Sequence, residues 1–424
     1  MLIKRITAKT AAFNYQLKIQ RKFWVIASIL LLVSMGSLFC AGFTTKNTGP
    51  ANYGNGAFAG SGSCKSCHAS IYESHLTTAH YLTSRPAAAQ FIKGSFEAPK
   101  NKFAFNKLMA VVMDKTDSGF YQSAYINGMA YQSAPFDIVI GSGRKGQTYL
   151  YWVDNQLFQL PVSYYTPLDS WCNSPGFSAG FINFNRPIPA RCLECHGTYA
   201  KAQEDSTATL FDRQSILYGI DCERCHGPSA QHVAYHQAHT DDTFAKFVVS
   251  AKRLPRQQRL DACALCHSRY RRQVQPTFSY GVGDDLEKYS LPTYKTDSTS
   301  GLDVHGNQYG LLTSSKCFMQ SAEMDCSSCH NVHNNEVNSP QLYSTRCMAC
   351  HNDAAHNNCT LPAMEGLTKA DNCVDCHMPL LPSKKIFLQL ADAKKSTPDL
   401  VRTHHVGIYP EQTKLFLAKI KKGM

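Results

Sequence analysis

The spelling Cys-x-x-Cys-His occurs seven times in 424 residues, and it predicts a mainly α chain with much irregular structure. The fold class expected is that of a multihaem cytochrome c, organised around seven packed haems and interrupted by a small antiparallel β insertion. Three observations carry this. The first is the motif itself, at Cys64–His68, Cys192–His196, Cys222–His226, Cys263–His267, Cys326–His330, Cys347–His351 and Cys373–His377. It is the attachment site of a c-type haem. With 18 Cys and 17 His, random placement gives roughly 0.03 such words, so chance is excluded. The second is that the tract from about 190 to 380 holds six of the seven motifs and few long amphipathic runs, so it is expected to fold around its cofactors. The third is a Cys- and His-free stretch at 101–165 that alternates like paired strands.

Taken along the chain, residues 1–43 come first. Six basic residues (Lys4, Arg5, Lys9, Lys18, Arg21, Lys22) precede an uncharged, mostly apolar run at 23–43. This reads as a signal peptide or an N-terminal membrane anchor, with lipidation at Cys40 a third reading. All three put the chain outside the cytoplasm, in the periplasm or held at the cytoplasmic membrane. Residues 44–62 are Gly-, Asn-, Thr- and Ala-rich and read as a linker. The first haem segment, 63–100, carries a predicted helix from Ile71 to Ser84, ending before Pro86. The β-rich insertion occupies 101–170. Asn127-Gly128 separates two Tyr-rich runs, a strong hairpin signal. Asp154-Asn155 separates a second pair, Gln147–Val153 and Gln156–Leu160. The six-haem core is expected over 171–385. Successive motif histidines there lie 30, 41, 63, 21 and 26 residues apart, too irregular for a tandem array. The last segment, 386–424, holds a His pair and an amphipathic helix from Glu411.

The formal charge of +12 invites a nucleic-acid reading, but base-reading motifs are absent. Removing the six N-terminal charges leaves +6, and seven haems would bring about −14 in propionates. Lys and Arg are then expected as propionate partners, with Arg269, Arg271 and Arg272 as candidates. Outside the motifs, Cys172, Cys317 and Cys359 admit a disulfide or buried free thiols.

The motif assigns chemistry residue by residue. Cys64, Cys67, Cys192, Cys195, Cys222, Cys225, Cys263, Cys266, Cys326, Cys329, Cys347, Cys350, Cys373 and Cys376 would bind haem c covalently. His68, His196, His226, His267, His330, His351 and His377 would ligate iron. A haem with two protein ligands is closed and moves electrons, whereas one with a single ligand has a free face. Ten other histidines are available: His75, His80, His232, His236, His239, His305, His333, His356, His404 and His405. His333 is placed to reach a neighbouring iron rather than its own. His232, His236 and His239 share one helical face, so one of them is expected to be a ligand.

The words CERCHGPSAQH (222–232), CALCHSRYRR (263–272), CSSCHNVH (326–333), CVDCHMP (373–379) and THHVGIYP (403–410) occur in this order. Together with CMACH followed by His356, and IGSGRKGQTYLYWVDNQLFQLPVSYY (140–165) before CLECHG (192–197), they resemble one bacterial family. It is the group related to the nitrifiers' tetrahaem cytochrome and to hydroxylamine oxidoreductase. The resemblance runs from about Gly60 to about Pro410. It implies closely packed, mostly bis-His haems. It also implies His80, His232, His305, His333, His356 and His404 as distal ligands. The seventh distal position is left to His405, His236, His239, His75 or to an open iron.

The expected function is electron transfer in an extracytoplasmic respiratory chain, between redox partner proteins that include a membrane quinol-linked donor. The alternative is an oxidoreductase acting on a small nitrogen or sulfur compound at one open haem; no Cys-x-x-Cys-Lys variant is present. A scaffold role for the β insertion and the C-terminal helix is compatible with the first.

Overall fold

The computed structural model describes residues 56–177, 180–205, 207–293, 302–336, 339–351, 359, 367, 372–391 and 396–422. The N-terminal segment and His356 lie outside them. Helix accounts for 31% and strand for 27%, so the fold is mixed α/β and the mainly α expectation is corrected. The reason is that β pairing reaches well beyond one local insertion.

Eleven strands run through the first half: β1 Ser84–Pro86, β2 Lys102–Ala104, β3 Met109–Thr116, β4 Gly119–Ile126, β5 Met129–Pro135, β6 Ile138–Ile140, β7 Gly146–Val153, β8 Gln156–Gln159, β9 Val162–Tyr165, β10 Ser170–Asn173 and β11 Arg186–Pro187. β2-β3-β4-β5 form one antiparallel sheet; the other seven form a second. Asn127 and Gly128, at φ 52° and 76°, make the β4–β5 turn, as the sequence suggests. Asp154, at φ 50°, does so for β7–β8. The unexpected partners are β1 and β11, which add to β6 and β8 and lie outside 101–170. A further antiparallel pair, Leu380–Leu388 with Thr397–Arg402, lies near the C-terminus.

The helices are short: α1 Ala69–His75, α2 Ala190–His196, α3 Cys222–His226, α4 Ala230–Ala238, α5 Arg256–His267, α6 Gln308–Thr313, α7 Lys316–Gln320, α8 Pro340–His351, α9 Cys373–His377 and α10 Pro410–Lys421. The helix expected over Ile71–Ser84 ends at His75. Thr77 and Thr78 turn their hydroxyls back onto the Ser74 and His75 carbonyls, which competes with helix propagation. Ser84–Pro86 is then claimed by β6.

Burial is concentrated in the sheets. Phe103, Tyr149, Leu160 and Trp171 pack in one cluster. A second cluster joins Ile138, Leu150 and Leu157 of the sheet to Ala190 and Leu193 of α2. A third sets Ala264 and Leu265 of α5 against Tyr280, Val282 and Leu286. Leu193, Ala264 and Leu265 are the "x" residues of two Cys-x-x-Cys-His motifs, so these motifs are bolted to apolar core.

Two glycines test this architecture. Gly128 has φ +76° and open space around an added methyl group, so Gly128→Ala should cost about 1 kcal/mol, from backbone strain alone. Gly219 has φ +70°, and its methyl group would overlap the Tyr81 carbonyl oxygen. Gly219→Ala should cost clearly more, because the next residue, Ile220, holds the His80 carbonyl through its N–H at 2.9 Å. Denaturant midpoints of the haem-loaded protein check the order of the two losses.

Candidate haem sites

Residues i, i+3 and i+4 share one face of a helix. A helical turn over Cys-x-x-Cys-His therefore presents two thiols and an imidazole to the same side. The structure uses this geometry: α2, α5 and α8 end on His196, His267 and His351, and α3 and α9 are the motifs themselves. Motifs 1 and 5 begin in tighter turns, Ser61–Cys64 and Cys326–Ser328. Three turns are capped by the residue before the first cysteine. Asp221 accepts from the Cys222 N–H at 2.8 Å, Asp325 from that of Ser327 at 2.8 Å and Asn372 from that of Asp375 at 3.2 Å.

Histidine Nδ1 atoms are held from behind. His226 and His377 place theirs 2.8 Å from the carbonyls of Val249 and Gly407, and His232 does the same toward Lys246 at 2.8 Å. His196 Nδ1 lies 3.0 Å from the Thr83 hydroxyl. A proton fixed on Nδ1 leaves Nε2 free as a metal ligand.

The structure brings motif and non-motif histidines close together, two pairs with stacked rings and one, His80 with His267, edge-on at 79°. His80 opposes His267 with ring centroids 6.1 Å apart. His333 opposes His226 at 6.2 Å and 12°. His404 opposes His330 at 6.2 Å and 25°. Two imidazoles bonded to one metal through nitrogens at about 2 Å each have centroids roughly 6 Å apart, so these pairs fit a bis-His haem. Burial drives His80, His196 and His404 down to about 4, which keeps them in the neutral form that ligates metal. His267 is exposed in accessible area, yet burial lowers it. Among the described residues no group of three or more His, Cys, Asp or Glu could hold a bare metal ion.

Other candidates fall elsewhere. His232 packs on His236 at 4.6 Å and lies within electrostatic reach of His68. His305 sits beside Asp303, Asp399 and Lys145. His75 turns Nε2 to the Ile220 carbonyl at 3.2 Å. His239 stacks on Tyr235 at 4.3 Å, and His405 Nδ1 lies 3.0 Å from the Tyr409 hydroxyl. Cys172 is a free, buried thiol pushed up to about 12 by burial.

Neighbouring motifs are locked together by polar contacts. Glu223 of motif 3 accepts from Ala59 and Gly60, just before motif 1, at 2.8 and 2.9 Å. Arg224 of motif 3 donates to the Glu194 carbonyl of motif 2 at 3.2 Å. Arg191, before motif 2, donates to the Leu265 carbonyl of motif 4 at 2.6 Å. Arg259, before motif 4, meets Asp325, before motif 5, at 2.5 Å. Arg346, before motif 6, donates to the Cys329 carbonyl of motif 5 at 2.5 Å. Ser344 of α8 accepts from Cys373 N–H of motif 7 at 2.8 Å. The spatial order is thus motif 1, 3, 2, 4, 5, 6, 7. Thiol contacts agree: Cys64 with Cys222, Cys195 with Cys266, Cys263 with Cys326 and Cys347 with Cys373.

The sequence reading missed Glu194, Glu223, Arg191 and Arg346. The available signal was charge inside or just before the motif, as in RCLECH, CERCH and RCMACH. Arg271, a candidate propionate partner, donates through Nε to the Ser290 hydroxyl at 2.9 Å and through Nη2 to the Ser290 carbonyl at 2.5 Å.

Residues 183–227, which span motifs 2 and 3, match the family described as "Cytochrome c554 and c-prime". The chain is similar in structure to the outer cell wall cytochrome OcwA, at a TM-score of 0.50 and 16% identity, over 84% of this chain and 81% of that one. No curated protein sequence matches. The family match thus falls on two of the seven motifs, and the structural likeness is one of fold.

Glu223→Ala would strip the acceptor from three backbone N–H groups, those of Ala59, Gly60 and Ser229. It should cost about 3 kcal/mol, and Glu223→Gln less, since one oxygen remains. Guanidinium unfolding of the loaded protein, with protease sensitivity before Cys64, checks both.

Proposed function

We propose that the chain binds haem c at all seven motifs and passes single electrons along them in the order 1, 3, 2, 4, 5, 6, 7. One observation carries this reading: three motif histidines each oppose a non-motif histidine at 6.1–6.2 Å. Bound haem c supplies a one-electron iron couple whose potential follows axial ligation and surroundings. His80, His333 and His404 then hold the second axial positions opposite His267, His226 and His330, and His232 serves His68. His305 and His356 are left for the remaining irons, as the resemblance to the nitrifiers' cytochromes implies. The protein works outside the cytoplasm, taking electrons from a membrane quinol-linked donor and delivering them to a redox partner.

A second reading keeps one iron open. Among the described residues His68, His196, His351 and His377 have no imidazole in ring contact, and an iron at one of them without a second protein ligand would keep a free face. A small nitrogen or sulfur compound would bind at that face, making the protein an oxidoreductase.

A pyridine haemochrome assay should give seven haems per chain; a lower count overturns attachment at one motif at least. Low-temperature electron paramagnetic resonance separates the readings. Seven low-spin haems support the closed relay, whereas one high-spin haem that shifts with nitrite or hydroxylamine supports the open site. His80→Ala, His333→Ala and His404→Ala should each convert one low-spin haem to high-spin, with haem content unchanged.

A further inference from the structure

Two motifs share a construction that the haem-attachment pattern does not require. In both RCLECH and RCMACH an arginine stands immediately before the first cysteine. Arg191 donates through Nη2 to the Leu265 carbonyl inside motif 4 at 2.6 Å, and through Nη1 to Glu194 at 2.6 Å. Arg346 donates through Nη1 to the Cys329 carbonyl inside motif 5 at 2.5 Å, and both its η nitrogens engage Glu336. Each guanidinium thus spans from beside its own motif to the backbone of an adjacent one and is neutralised by a carboxylate. Glu194 is 3% exposed and also accepts from the Phe278 N–H at 2.7 Å. Glu336 also accepts from the Asn331 N–H at 3.0 Å, directly after His330.

We infer that Arg191 and Arg346 are positioning residues that set the contact between motif pairs 2/4 and 5/6, and with it the magnetic and electronic coupling of the haems bound there. This rests on the proposed relay. The planar fork does what a point charge cannot, because it reaches a carbonyl and a carboxylate at once. The same position and function appear at two separate junctions, which a chance surface pairing would not repeat. Glu194, inside motif 2, also holds the Phe278 N–H, and Glu336 holds the Asn331 N–H beside motif 5, so removing either arginine frees a carboxylate that is itself anchored at the junction.

The test compares wild type with Arg191→Gln, Arg191→Lys, Arg346→Gln and Arg346→Lys, all haem-loaded. Haem count and wild-type bis-His spectra report on the relay itself. If wild type lacks seven haems, the relay fails, whatever the arginines do. The inference predicts an unchanged haem count in the Lys variants, with loss of the spin-coupled resonance and a shifted potential for the affected pair only. Arg191→Lys should leave pair 5/6 as in wild type, and Arg346→Lys should leave pair 2/4 so. The Gln variants should show the same losses or larger ones; if they load poorly, the Lys variants decide. Wild-type coupling and potentials in both Lys variants would overturn the inference, as would equal disturbance of both pairs by either one.

Discussion

The constraint on which the structure depends is that five consecutive residues must present two thiols and an imidazole from one face. A single helical turn meets it, but so short a helix does not hold itself together in water. Each motif must therefore be stabilised from outside. The earlier motifs do this with core: Leu193 of motif 2 packs into the sheet, and Ala264 and Leu265 of motif 4 pack against Tyr280 and Leu286. The later motifs have less core beneath them. Among the described residues after 302, few large apolar side chains are buried. Caps and ion pairs take over there: Asp325, Asn372, Arg346 with Glu336, and Arg402, which pairs with Asp375 at 2.6 Å.

That division explains why so much strand surrounds a cofactor-binding chain. The seven-stranded sheet is closed at its edges by β1 and β11, short segments from either side of the insertion. β1 follows directly on the turn that carries His80. Ser84 donates to the His196 carbonyl and accepts from Gly219, while Thr83 stands at 3.0 Å from His196 Nδ1. One three-residue strand thereby fixes a non-motif histidine on one side and a motif histidine on the other. The sheet is a ruler for the sites as well as a core.

What was legible in the sequence was local. The Cys-x-x-Cys-His words, the Asn127-Gly128 and Asp154-Asn155 turns and the C-terminal helix near Glu411 depend on residues within a few positions of each other. His80, His333 and His404 come from the resemblance, and the structure sets each opposite a motif histidine. What was not legible was long-range. Ser84–Pro86 carries no strand signal of its own and becomes a strand through Ile138–Ile140. Leu380–Leu388 contains Pro382 and two lysines, and its partner Thr397–Arg402 contains Pro398, so neither shows clean alternation. The pair holds through Asp303, which takes the Ser383 hydroxyl at 2.8 Å and the Lys384 N–H at 2.6 Å, and through the Lys145–Asp399 ion pair at 2.8 Å.

The arginines change the meaning of the charge. Counted from the sequence alone, the basic excess stands ready for haem propionates. In the structure Arg191, Arg224, Arg259, Arg346 and Arg402 already hold carbonyls or carboxylates of neighbouring motifs, and Arg271 holds Ser290. A guanidinium engaged in this way has fewer donors left for a propionate. The propionates of bound haems would then be left to arginines outside these junctions, such as Arg269 and Arg272, to lysines, to backbone N–H groups and to water. The propionates of bound haems would offset part of the formal +12 and ferric iron would return some of it, so the charge met at long range is the sum over protein and cofactor rather than the charge read from composition.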